Sequence, residues 1–335
     1  MSKKTLNRRK ALLTILSFCF IVPGVATFLN KKLAKSSRQS TLKSNSNNSI
    51  NLNPLSSPES ITLQILDEKS LLSEETIEIY PQELNTDTRL EMVKIKAGSC
   101  KIGSNPQDSD HLTNEAQGFK ITMQEFYMSR YPITQEQWQA VMGMGNNPST
   151  FLGETDLPVE TVSWYEAKEF CDKLTNSTKQ TYRLPSETEW EYACRAYSET
   201  PFYFGDKITP TRANYDTYYS SVKSSGDYHG KTIKVGQFPA NKFGLKDMHG
   251  NVWEWCQDSW HKDHQNTPKN GEAYENKDEE KAVIRGGAWH SFPLKCRSAA
   301  REGMWKNMRS NRIGFRVVME IKNVTSLSKN FLNLR

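Results

Sequence analysis

The chain has six cysteines, at 19, 100, 171, 194, 256 and 296, but no Cys-x-x-Cys pair and no His/Cys group at zinc-finger spacing. That absence excludes a zinc-ribbon or thioredoxin-type reading. No stretch repeats at a fixed period, which excludes solenoids and propellers. Acidic residues are missing from residues 1–58, which carry ten Lys or Arg. The whole chain is +6, so everything after residue 58 sums to −4, and a nucleic-acid-binding face is not expected. Hydrophobic residues are scarce, at 36%. Eight Trp, thirteen Tyr and fourteen Phe offset this, because each buries a large area. An aromatic-rich core punctuated by Gly and Pro points to an irregular α+β domain.

The one long apolar run is Ala11 to Leu29, nineteen uncharged residues behind Lys3, Lys4, Arg8, Arg9 and Lys10. This length and flank fit either a signal peptide (residues 1–30) or a membrane anchor formed by residues 11–29. Gly24-Val25-Ala26 is a small-residue cleavage site, and the basic pair weakly matches a twin-arginine export signal. The domain is therefore expected outside the cytoplasm, periplasmic or secreted. Residues 31–88 are read as a linker, mostly disordered. Within it, 61–88 carries apolar spots at Ile61, Leu63, Ile65, Leu66, Leu71 and Leu72 that leave a short helix open. The folded domain is expected over 89–320, with 321–335 as a tail.

Met92 to Lys96 alternates like a strand, as does Lys120 to Tyr127 in part. Three capping boxes announce helices: Thr134 with Gln137, Ser163 with Glu166, and Ser186 with Glu189. The second helix places Trp164, Ala167, Phe170, Cys171 and Leu174 on one stripe. The third turns Trp190, Ala193, Cys194 and Tyr197 inward. Val235 to Phe238, Val283 to Trp289 and Ile313 to Met319 read as further strands.

The densest signal lies in Asp247 to Cys256, DMHGNVWEWC. Gly250-Asn251 marks a tight turn. Val252 to Cys256 then runs as a strand with both indoles on one face and Glu254 on the other. Asp247, Glu254 and the carbonyls of Gly250 and Val252 are hard oxygen donors of the kind Ca²⁺ prefers. The simpler alternative is a surface turn before a core strand, with Glu254 paired to an arginine. In the loop from Phe202 to Tyr228, Asn214, Asp216 and Asp227 form a second oxygen-rich group, with Asx turns as the alternative.

Several motifs in fixed order carry a family. Tyr131-Pro-Ile-Thr-Gln-x-x-Trp138, Leu157-Pro-Val-x-x-Val-Ser-Trp164 and Tyr182-Arg-Leu-Pro-Ser-Glu-x-Glu-Trp-Glu-Tyr192 come first. Asn241-x-Phe-Gly-Leu245, Gly250-Asn-Val-Trp-Glu-Trp255, Arg285-Gly-Gly-x-Trp289, Cys296-Arg-Ser-Ala-x-Arg301 and Ile313-Gly-Phe-Arg316 follow. Over about residues 90–319 the chain resembles the sulfatase-modifying-factor family of formylglycine-generating enzymes. The resemblance implies a single α+β domain of the C-type-lectin-related kind, with little regular secondary structure and bound calcium. One calcium would take Asp247, Glu254 and the Gly250 and Val252 carbonyls. A second would take Asn214, the Tyr215 carbonyl and the Asp227–Tyr228 region.

The enzymes of that family oxidise a substrate cysteine to formylglycine with O₂ and a copper ion held by two thiols five residues apart. Those positions here are Ser291 and Cys296. A hydroxyl is a poor Cu(I) ligand, so the pair is incomplete. Ala288 and Phe292 stand where the enzymes carry serine and histidine, whereas Trp253 of the active-site wall is kept. Cys296 has an alternative as a disulfide partner of Cys256 or as a half-buried thiol. His261 and His264, beside Asp263, read as solvated. Two functions follow: an exported oxidoreductase-like member acting on a thiol through Cys296, or a calcium-stabilised module binding peptide, protein or glycan without redox chemistry. A monomer is expected.

Overall fold

The computed structural model describes residues 56–107, 109–115, 117–219 and 228–321. The leader, the first part of the linker, Asp227 and nearly all of the tail lie outside the described residues. The described region contains elements of both kinds but few helices.

Residues 59–83 correct the linker expectation. They form β1 (Glu59–Leu66) and β2 (Leu72–Glu83), an antiparallel hairpin, instead of a tether or helix. The solvent-facing part of β2 is polar and acidic, which hides the pattern. Its far end pairs with β3 (Arg89–Ile95) and buries Ile79, and β1 buries Ile65 against Ala240. The folded unit therefore begins some thirty residues earlier than its alternating strand suggests.

The stretch Lys120 to Tyr127 divides into β5 (Phe119–Met123), paired with β4 (Gly98–Ile102), and β6 (Phe126–Ser129), paired with β3. All three capping boxes form. They open α1 (Gln135–Met142), α2 (Trp164–Thr178) and α3 (Glu187–Arg195), with each hydroxyl accepting from the N3 amide. The inward stripe of α2 is as expected except for Trp164, which is half-buried. Tyr197 lies past the end of α3 and is exposed.

β7 (Tyr182–Arg183) separates α2 from α3. After a long irregular stretch come β8 (Trp253–Ser259), β9 (Lys281–Arg285) and β10 (Arg301–Trp305). Val235 to Phe238 is not a strand, because the chain turns at Gly236, where φ is +79°. Ile313 to Met319 likewise breaks in two. β11 (Ile313–Gly314) lies parallel to β8, and β12 (Val318–Met319) sits between β6 and β7. The sheets run β1-β2-β3-β6-β12-β7, β10-β9-β8-β11 and β4-β5.

Two apolar clusters fill the interior. One holds Trp190, Cys194, Cys256, Cys296 and the Phe202–Phe204 aromatics. The other holds Trp138, Phe170, Phe315 and both indoles of β8. Strand β8 thus divides them, its indoles in one cluster and Glu254 directed to the other side. That division positions the candidate site.

Candidate functional site

The turn before β8 forms as expected. Gly250 has φ +80°, and a side chain there would collide with the Asn214 carbonyl. Asn251 then becomes a hub. Its backbone N–H donates to the Asn214 carbonyl at 2.7 Å, and its carbonyl accepts from Trp289 N at 3.0 Å. Its side chain accepts from Asn214 Nδ2 (3.1 Å) and Ile233 N (3.0 Å) and donates to Ile233 O (3.1 Å). One buried amide therefore ties three distant segments to the start of β8.

Glu254 follows the simpler alternative. Arg316 donates to it from Nε at 2.6 Å and from a terminal nitrogen at 2.9 Å, and Trp190 Nε1 adds a third bond at 2.7 Å. All three side chains are buried. The carboxylate charge is met by a guanidinium, so an ion is not needed to neutralise it. Its Oε2 accepts from both Arg316 Nε and Trp190 Nε1, so Glu254 is the most fully bonded member of the expected calcium set.

Asp247 behaves differently. It sits at φ +57°, and its Oδ2 accepts from Gly236 N at 2.6 Å, while its buried Oδ1 has no hydrogen-bond partner. Burial pushes its pKa up to about 6. Asn214 also carries a buried, unpartnered oxygen, Oδ1. Orphaned hard oxygens of this kind fit a cation such as Ca²⁺ better than they fit an apolar interior. Tyr215 is buried beside Asn214. Gly250 and Val252 lie in the turn and at its exit, their backbone carbonyls remaining the expected donors.

The positions expected to hold copper have other tasks. Ser291 Oγ accepts from Ala288 N at 2.9 Å, and Ser291 N donates to Ala288 O at 2.8 Å, so the residue closes its own turn. Cys296 is fully buried in the first apolar cluster, and its sulfur packs under Gly287. Gly287 has φ +77°, and an added Cβ there would lie 2.5 Å from that sulfur. Burial pushes the Cys296 thiol well above its ordinary pKa, which disfavours the thiolate that Cu(I) needs. Trp253 belongs to the other cluster. These residues do not fit a copper centre. Cys256 shares the cluster of Cys296, and both are free thiols.

A cleft of about 690 Å³ opens next to this turn. Phe151, Leu157, Ile233 and Phe238 give it apolar walls, and Lys231 and Lys234 stand at its edge. Lys234 is paired with Glu154 and Asp156. Ile233 is held by Asn251, and Phe151 meets Trp289 edge-on at 5.6 Å. Tyr228 and the Arg312 guanidinium lie over the same indole, at 6.5 and 5.7 Å.

The family model of the sulfatase-modifying factor enzyme 1-like domain matches residues 78–321. The chain belongs to that family. Among similar proteins, the Chaperone protein LppX of Paenibacillus barcinonensis is 30% identical over 62% of this chain and 81% of its own length. The formylglycine-generating enzyme of Bos taurus is 31% identical over 55% of this chain, which spans only 49% of that enzyme. The solved structure of PvdO from Pseudomonas aeruginosa is 30% identical, with a TM-score of 0.64. It covers 72% of this chain and 98% of PvdO.

Within this sulfatase-modifying-factor domain, sequence reasoning missed Asn251, which read only as the second half of a Gly-Asn turn. It also left the partner of Glu254 unnamed, although Arg316 closes the last motif. The hydrogen bonds of Asn251 reach residues 18 and 37 positions away, and the pair spans 62. Local spacing carries no trace of either.

Proposed function

We propose that this sulfatase-modifying-factor domain is an exported, calcium-stabilised binding module of C-type-lectin-related architecture that engages a peptide or protein segment without oxidising it. The observation that carries this reading is the state of residues 291 and 296. One is a hydroxyl consumed by its own turn, and the other is a thiol sealed beneath Gly287. Copper-dependent conversion of a cysteine needs two accessible thiolates, and oxidation through Cys296 alone would need it exposed.

The cleft walled by Phe151, Ile233 and Phe238 supplies the binding surface, its apolar walls interspersed with polar and charged groups such as Glu154, His229 and Lys231. A relative named as a chaperone protein accords with a polypeptide ligand. Calcium would be held at two sites, one using the orphaned oxygen of Asp247 and the other that of Asn214, and would stiffen the turn that Asn251 organises. The N-terminal segment would deliver the domain to the extracytoplasmic side, cleaved or retained as an anchor, and the domain would act as a monomer.

The test is an incubation of the purified protein with Cu(I), O₂ and a Cys-x-Pro-x-Arg peptide, followed by mass spectrometry. The peptide is expected to keep its thiol. Turnover to the aldehyde by the unmodified protein would overturn the reading.

A further inference from the structure

The pair His261 and His264, three residues apart in a loop, does not point into solvent. One ligating atom from each of Glu187, His261 and His264 lies within 4.8 Å of the other two. Tetrahedral ligands of a zinc ion sit about 3.4 Å from one another, so modest side-chain rotation would close this set on an ion.

The hydrogen bonds specify the protons. Ser259 O can only accept, so His261 Nδ1 carries the hydrogen of their 3.2 Å contact, and His261 Nε2 is an acceptor. Thr267 Oγ1 lies 2.8 Å from that Nε2 and spends its single hydrogen there, a bond that an ion bound at Nε2 would displace. The same oxygen lies 3.0 Å from His264 Nδ1, which must therefore donate to it. His264 Nε2 is left with a bare lone pair, buried and without a partner. Glu187 is bound by Arg301 through both oxygens at 2.6 Å, which fixes its carboxylate and still leaves each oxygen a free lone pair. Both imidazoles are half-buried, so an ion from solvent can reach them.

We propose that His261, His264 and Glu187 form a binding site for a divalent transition-metal ion of zinc-like character, with water completing the coordination. Two neutral imidazoles and one carboxylate suit such an ion and not Ca²⁺. The site is separate from the Asp247 turn and independent of the function proposed above.

The experiment uses the untagged, metal-stripped full chain. Zn²⁺ is titrated by calorimetry, and Co²⁺ by its visible absorption. One ion per chain is expected, bound at least tenfold more weakly by His261→Ala and by His264→Ala, and equally well by His111→Ala. Excess Ca²⁺ should leave the Co²⁺ spectrum unchanged. In the wild-type chain, Zn²⁺ should protect His261 and His264, but not His111, from diethyl pyrocarbonate, a readout that needs no variant to fold. Undiminished binding by the double histidine variant, or unprotected histidines at saturating Zn²⁺, would refute the site.

Discussion

Arg316 and Glu254 meet through two hydrogen bonds of 2.6 and 2.9 Å in the interior, between β8 and the linker that joins β11 to β12. Removing one partner leaves the other charge buried and unmatched. Glu254→Ala and Arg316→Ala are each expected to destabilise the fold by about 3–5 kcal/mol in urea unfolding. A Glu254→Gln, Arg316→Met double variant should lose less than the sum of the two truncations. Additive losses would mean that the pair is not coupled.

The hairpin β1–β2 should be indispensable. A chain starting at residue 56 is expected to fold, whereas one starting at residue 89 should aggregate, because it leaves the edge of β3 unpaired and removes buried Ile79 from beside Val93. Ile79→Ala alone should cost about 2–5 kcal/mol. A stable, monodisperse product from residue 89 onward would show the hairpin to be dispensable.

Calcium is expected to raise the melting temperature, and a chelator to lower it. At calcium one hundred times its Kd the gain is about 2.7 kcal/mol. That corresponds to roughly 2–4 °C per kcal/mol for a domain of this size. Asn214→Ala and Asp247→Ala should each shrink the shift, whereas Glu254→Gln should leave calcium affinity within a few-fold. Identical melting curves with and without chelator would remove calcium from the account.

Glu160 is fully buried, and it accepts from Phe151 N at 2.8 Å and Thr161 Oγ1 at 2.6 Å. Burial raises its pKa against those bonds. The unfolded chain therefore ionises first. This group's contribution to stability is complete below the ordinary carboxylate pKa and fades as pH rises through the higher folded value. Glu160→Gln should gain stability relative to wild type between pH 4 and pH 7, measured by denaturant midpoint. A difference that does not vary with pH would contradict the assignment.

Restoring a thiol with Ser291→Cys should not create peptide oxidation, because Cys296 remains sealed under Gly287. Ser291→Ala should cost about 1 kcal/mol through the lost bond to Ala288 N. Aldehyde formation by Ser291→Cys would show that Cys296 can swing out.

Short-range chemistry was written plainly in the chain. A serine or threonine three residues before Glu or Gln specifies a helix start through two reciprocal bonds, and all three such starts formed. The Gly250-Asn251 turn and the two indoles on one face of β8 follow from backbone freedom and the two-residue period of a strand. The ordered motifs gave the family. Tertiary structure alone decided that residues 59–83 are strands, because their pairing partner β3 and the Ala240 contact lie elsewhere in the chain. It alone split Ile313 to Met319 between two sheets, letting Arg316 reach Glu254. It also turned Cys296 inward and gathered His261, His264 and Glu187, since which side chains share a low-dielectric interior depends on contacts across the chain and not on spacing along it.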